Sequence, residues 1–167
     1  VSAKLRIIGL LFLVALVGAV IFVLNPPKKP TPKATIGSPA TQEQGNHQLK
    51  VPIEIDTGGR TINAAEIKLT FDPRVIEVVS VSKEKSFFKI WITNQPSFSN
   101  AKGTISFAGG IFTPGFSGKG QVGAVTLKSK RALTSELKFG SGTQVLLNDG
   151  KGTAVPLELS PIKIKIP

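Results

Sequence analysis

The chain has 167 residues, long enough for one ordinary domain with a hydrophobic core. It contains no cysteine, which excludes a disulfide framework and any thiolate metal site. Its 21 Lys and Arg against 10 Asp and Glu give a net charge of +11; the excess is spread along the chain with no block of five like charges, so no nucleic-acid partner is expected.

From Ile7 to Leu24 the chain carries no charge, and Leu, Ile, Val and Phe dominate. At about 1.5 Å per residue, a helix of that length nearly matches a hydrocarbon core of about 30 Å. Lys4 and Arg6 precede the run, in the order of an export signal. Val17-Gly18-Ala19 imitates a cleavage site, but five more apolar residues follow it, so residues 1–24 read as an uncleaved signal anchor. The expected location is the cell membrane, single-pass, with the C-terminal part extracytoplasmic. Residues 25–47 begin "NPPKKPTPKATIGSP" and lack apolar periodicity, which reads as a Pro/Lys-rich linker, partly polyproline II.

From residue 48 every apolar segment is short and bounded by turn residues. Leu49, Val51, Ile53 and Ile55 alternate with polar residues, and Pro52 argues for an edge strand. After "DTGGRT" comes "INAAEIKLTFDP", residues 62–73. There Ile67, Leu69 and Phe71 share one face, and Glu66, Lys68 and Thr70 share the other. Pro73 should end that strand. "RVIEVVSVS" is apolar on both parities, as in a strand buried on both sides or bulged near Val78-Val79. "FFKIWIT", "TISFAGGIF", "VGAVTLKSK", "ELKFG", "TQVLLND" and "LELSPIKIKIP" follow, the last with Lys163 and Lys165 outward. About nine short strands with Gly-rich turns indicate an all-β sandwich over residues 48–167.

Catalytic chemistry is thinly supplied. The single histidine, His47, precedes the first expected strand, away from any orienting carboxylate. Glu66, Asp72, Glu77 and Asp149 could supply a carboxylate pair, but no spacing couples them. "NDGKGT" and "DTGG" lack the run of oxygen ligands that calcium requires, and "GFSGKGQ" lacks phosphate-loop spacing. No cofactor, no metal site and no enzyme activity are expected. In "FFKIWIT", Ile90 and Ile92 should claim the interior and turn Trp91 outward beside Lys89. An exposed Trp there could stack on a polysaccharide, anchor a protein partner, or cover a sheet edge.

Together, "INAAEIKLTFDPRVIEVVSV", "GTISFAGG", "GKGQVGAVTLKSK" and "VLLNDGKGT" resemble bacterial cohesin modules in order and spacing, over residues 47–167. The resemblance implies a nine-stranded jelly-roll β-sandwich related in fold to cellulose-binding modules. It implies a dockerin-like partner, a helical module carrying its own calcium, received on one flat sheet face in the assembly of polysaccharide-degrading or surface complexes. Aligned on Asp72-Pro73, Glu66 falls where many cohesins carry an acidic partner contact. Aligned on "SFAGG", Gly109 stands where a second acidic contact is common. Lys68, Thr70 and Ser106 complete the implied partner-binding face, and direct carbohydrate binding through Trp91 is the alternative.

Overall fold

In the computed structural model, the described residues are 33–38, 42–45, 47–129 and 132–166, and all lie in a unit spanning 32–167. The membrane anchor expected over residues 1–24 therefore lies outside the described residues.

The period-two segments form two facing sheets. The first contains β1 (Ala34–Gly37), β2 (Gln42–Gly45), β3 (Gln48–Asp56), β5 (Glu77–Ser82), β9 (Lys119–Lys128) and β12 (Leu157–Leu159), in the order β12-β1-β3-β9-β5 with β2 also on β3. The second contains β4 (Ile62–Thr70), β6 (Ile90–Trp91), β7 (Ser97–Ser99), β8 (Thr104–Gly110), β10 (Leu133–Phe139), β11 (Gln144–Leu147) and β13 (Ile162–Ile166). Its order is β13-β10-β4-β8-β6, with β11 also on β4 and β7 also on β8. Leu49, Val51, Ile53 and Ile55 from the first sheet meet Ile67, Leu69, Ile105, Phe107 and Leu137 from the second, all at most 1 % exposed. This is the all-β sandwich expected.

Four departures from the nine-strand expectation have local causes. First, β1 and β2 lie inside the segment read as linker. Ala34 and Ile36 are buried, Thr35 to Gly37 pair with Glu54 to Asp56, and exposed His47 occupies the turn between β2 and β3. The prolines of that segment conceal a short alternating "ATIG". Second, Pro52 is not on an edge strand, since β3 is paired on both sides. It sits opposite Ala124, in the gap between the residues that β2 covers (48–50) and those that β1 covers (54–56), where its missing N–H costs no registered pairing on that side. Third, β7 is an additional short segment on β8. Fourth, "LELSPIKIKIP" is not one strand. It leaves the first sheet after β12, passes Ser160-Pro161, and enters the second sheet as β13.

Other local readings hold. The register of β5 against β9 shifts between Val78 and Ser80, a bulge at the expected place, and leaves Val79 exposed. The Asn100 side chain reaches across from the second sheet to both backbone groups of Val78, accepting from its N–H at 2.8 Å and donating to its C=O at 2.9 Å.

The strand β4 stops before Phe71-Asp72-Pro73. There the Arg74 N–H and Nε donate to Asp72 Oδ1, and Arg74 Nη2 donates to Oδ2 at 2.7 Å. The Arg74 side-chain hydrogen bonds hold the Asp72 carboxyl at about 2. Because the folded value lies below the ordinary carboxylate value, the pairing stabilises above pH about 4 and is lost as pH falls toward 2. Asp72→Asn should therefore lower the melting temperature slightly at pH 7 and flatten its decline between pH 4 and pH 2. Parallel melting curves of the two proteins across that range would contradict this role.

Candidate functional site

Directly opposed residues in neighbouring strands share a face, so the outer face of the second sheet can be read across its register. On β4 it carries Ala64, Glu66, Lys68 and Thr70, opposite Gly110, Ala108, Ser106 and Thr104 of β8. Beyond β8 come Ser97 and Ser99 of β7, and Ile90 of β6 opposite Gly110. On the other side of β4, Gln144 and Leu146 of β11 face Glu66 and Ala64, and Lys138 of β10 faces Thr70. Lys163 and Lys165 of β13 then stand opposite Glu136 and Thr134.

Four of the sequence-predicted partner residues, Glu66, Lys68, Thr70 and Ser106, thus lie together on one surface. Glu66 is engaged at both oxygens: Lys68 Nζ lies 3.0 Å from Oε1, and Gln144 Nε2 donates to Oε2 at 3.3 Å. The Thr143 hydroxyl accepts from the Lys68 N–H and donates to the Gly140 carbonyl, which pins the turn joining β10 to β11 beside Lys68. A carboxylate held this way keeps its orientation without being sealed from a partner, since its side chain remains 32 % exposed.

Gly109 does not join this face. It pairs with buried Ala65 and points to the interior, where an added Cβ would lie 2.7 Å from the Phe88 ring. The absence of a side chain there admits Phe88 to the core and leaves the face untouched.

Trp91 also departs from expectation. The Lys89 N–H donates at 2.8 Å to the Gly110 carbonyl, and Ile90 also pairs with Gly110, so two residues oppose one. This bulge resets the alternation. Phe88 is buried, Ile90 and Ile92 are exposed, and Trp91 packs half-buried against the core. Its ring lies 5.2 Å from Phe88, edge to face, with Lys83 Nζ 5.1 Å above it. The tryptophan is therefore half-buried between Phe88 and Lys83 and not the outward ring expected, and Ile90 takes the outward place that had been assigned to it. No signal in "FFKIWIT" could have shown this, because the bulge depends on its pairing with β8.

The four carboxylates considered for catalysis are dispersed. Glu66 belongs to the second sheet's outer face, Glu77 to β5 of the first sheet, Asp72 to its Arg74 turn, and Asp149 to a turn in which it accepts from the Lys151 N–H. A cavity of about 590 Å³ opens past the end of β4, lined by Pro73, Arg74, Ile76, Asn100 and Lys128 among others, and none of the predicted partner residues lines it.

The family model of the cohesin domain matches residues 32–162, which takes in β1 and β2 as well as the strands legible in the sequence. No curated protein sequence matches the chain. Among solved structures, the seventh ScaB type I cohesin from Pseudobacteroides cellulosolvens superposes with a TM-score of 0.60 at 20 % identity, covering 81 % of this chain and 92 % of that one. A type I cohesin–dockerin complex from Clostridium thermocellum gives 0.61 at 13 % identity, over 81 % and 99 %. A non-cellulosomal cohesin from the archaeon Archaeoglobus fulgidus gives 0.56 at 19 % identity, over 81 % and 91 %. At these identities the likeness establishes the fold, and the family match supplies the rest. The chain belongs to the cohesin domain family, a family of non-enzymatic protein-binding modules.

Proposed function

We propose that this cohesin domain receives a dockerin-type helical module on the outer face of its second sheet, the calcium being carried by the partner. The observation that carries this reading is the shape of the face. Its centre is built from Ala64, Thr104, Ser106 and Ala108, with Glu66 held among them by Lys68 and Gln144. Small residues allow a partner helix to approach closely, and one oriented carboxylate offers it an acceptor. The complex from Clostridium thermocellum pairs a cohesin of this fold with a dockerin. The non-cellulosomal cohesin of Archaeoglobus fulgidus supports a broader reading, in which the assembled complex need not degrade polysaccharide. The apolar run from Ile7 to Leu24 would hold the domain at the cell surface as a single-pass anchor.

The test is capture of calcium-loaded dockerin modules by the full chain, with a chelator control. Retention that disappears with the chelator is expected. Glu66→Ala should weaken capture at least about tenfold, since it removes the oriented acceptor, while the melting temperature stays nearly unchanged because the residue lies outside the core. Unaltered affinity in that variant would remove Glu66 from the interface.

A further inference from the structure

The low part of that outer face runs in one direction, which fixes how a partner helix can lie on it; this rests on the binding role proposed above. Along β8, Ala108, Ser106 and Thr104 follow one another at every second residue, with nothing larger than a threonine. On one side β4 raises Glu66 beside Ala108 and Lys68 beside Ser106, the two joined at 3.0 Å. On the other side stand Ile90 and Ile92, 39 % and 60 % exposed, with the Ile92 N–H donating to the Ala108 carbonyl. Past the segment 93–96, Ser97 and Ser99 continue that side opposite Ser106 and Thr104.

The dimensions match a helix laid along the strand. Thr104 and Ala108 are four residue steps apart on β8, about 13 Å at about 3.3 Å each, which is about nine residues of helix. The flanking rows lie one strand to either side of β8, about 10 Å from each other, close to the width of a helix. A helix laid across the strands at Ala108 or Ser106 would instead meet Glu66 or Lys68 on β4. The twist of about 20° from each strand to the next would also carry it off the sheet, whereas along one strand it stays in contact. Ile90 and Ile92 are two residues apart, about 6.6 Å, and helix residues i and i+4 rise about 6 Å, so one flank of a helix can seat two side chains on them.

We infer that this domain takes the docking helix of a dockerin-type module along β8, with an apolar pair spaced i, i+4 on the flank that meets Ile90 and Ile92. The opposite flank meets Glu66, Lys68 and Thr70 and must be polar. Lys89 is exposed and shares Gly110 with Ile90, so a partner residue past the apolar pair at that end meets a cation. Covering the isoleucines supplies apolar area, and the low row lets the helix come down far enough to reach them.

The experiment uses the immobilised full chain and a panel of calcium-loaded dockerin modules. Thr104→Arg, at the far end of the low row, should weaken capture at least about tenfold with an unchanged circular dichroism spectrum. Leu146→Arg, on β11 and about as far from Ala108 but across the strands, should change capture less than about threefold. A loss at Leu146 equal to or greater than that at Thr104, or full capture by the Thr104 variant, would overturn the inference. The second measurement needs no arginine. A module whose apolar pair is changed to serine should lose at least about tenfold against the unsubstituted chain and little against the Ile92→Ser chain, where that contact is already broken. Equal losses against both chains would also overturn the inference and leave the binding role standing. Capture of no module at all would overturn both.

Discussion

Phe107→Ala should cost about 3 to 5 kcal/mol of folding stability, read as a shift of the urea midpoint with little change in slope. Phe107 is fully buried at the centre of β8. Its ring crosses to the first sheet and lies against Gly123 of β9, so closely that a Cβ added to that glycine would sit 2.6 Å from it. Truncation leaves a void whose opposite wall has no side chain to fill it, and Ser82 closes that wall with a backbone carbonyl. The site therefore collapses poorly, which places the cost toward the upper end of the range. Against a total stability of about 5 to 15 kcal/mol, the loss would leave many molecules unfolded on warming. A cost below about 1 kcal/mol would mean that the two sheets do not meet through this ring. Phe107→Leu should recover part of the loss.

Ala108→Arg should reduce dockerin capture at least about a hundredfold, or about 2.7 kcal/mol, without lowering the melting temperature. Ala108 lies opposite Glu66 on the outer face, and its carbonyl accepts the Ile92 N–H, so it sits between the carboxylate and the isoleucines. A long cationic side chain there would stand in the lowest part of the face and hold any helix away from it. Thr126→Arg provides the control, because Thr126 pairs with Lys50 and Ser80 in the other sheet. Equal loss in both variants would point to a general effect on the protein, and no loss in the Ala108 variant would move the binding site elsewhere.

The features legible in the sequence are those set by neighbours along one strand. The alternation of Leu49 to Ile55 and of Ile67 to Phe71 assigned inner and outer faces correctly, because side chains two apart share a side whatever the partner strand does. The Phe-Asp-Pro stop and the bulge near Val78-Val79 were likewise readable, each arising from local backbone chemistry. Glu66, Lys68 and Thr70 share a face by that alternation, whereas Ser106 was placed with them by the family resemblance, and the pairing of β4 with β8 sets it opposite Lys68.

Tertiary structure alone decided the rest. Ile90 rather than Trp91 borders the outer face because Lys89 and Ile90 both oppose Gly110, and a bulge is a property of two strands. Gly109 falls inward by the same alternation that buries Ile105 and Phe107, and only the tertiary structure shows Phe88 filling the space that its Cβ would take. "ATIG" becomes strand β1 because β3 and β12 each offer it an edge, one antiparallel and one parallel. Lys163 and Lys165 join the sheet that carries Glu66 only after "LELSPIKIKIP" divides at Pro161 and sends its second half to β10. Each of these outcomes depends on which distant segment supplies the hydrogen-bonding edge and the free volume, and sequence-local periodicity carries no information about either.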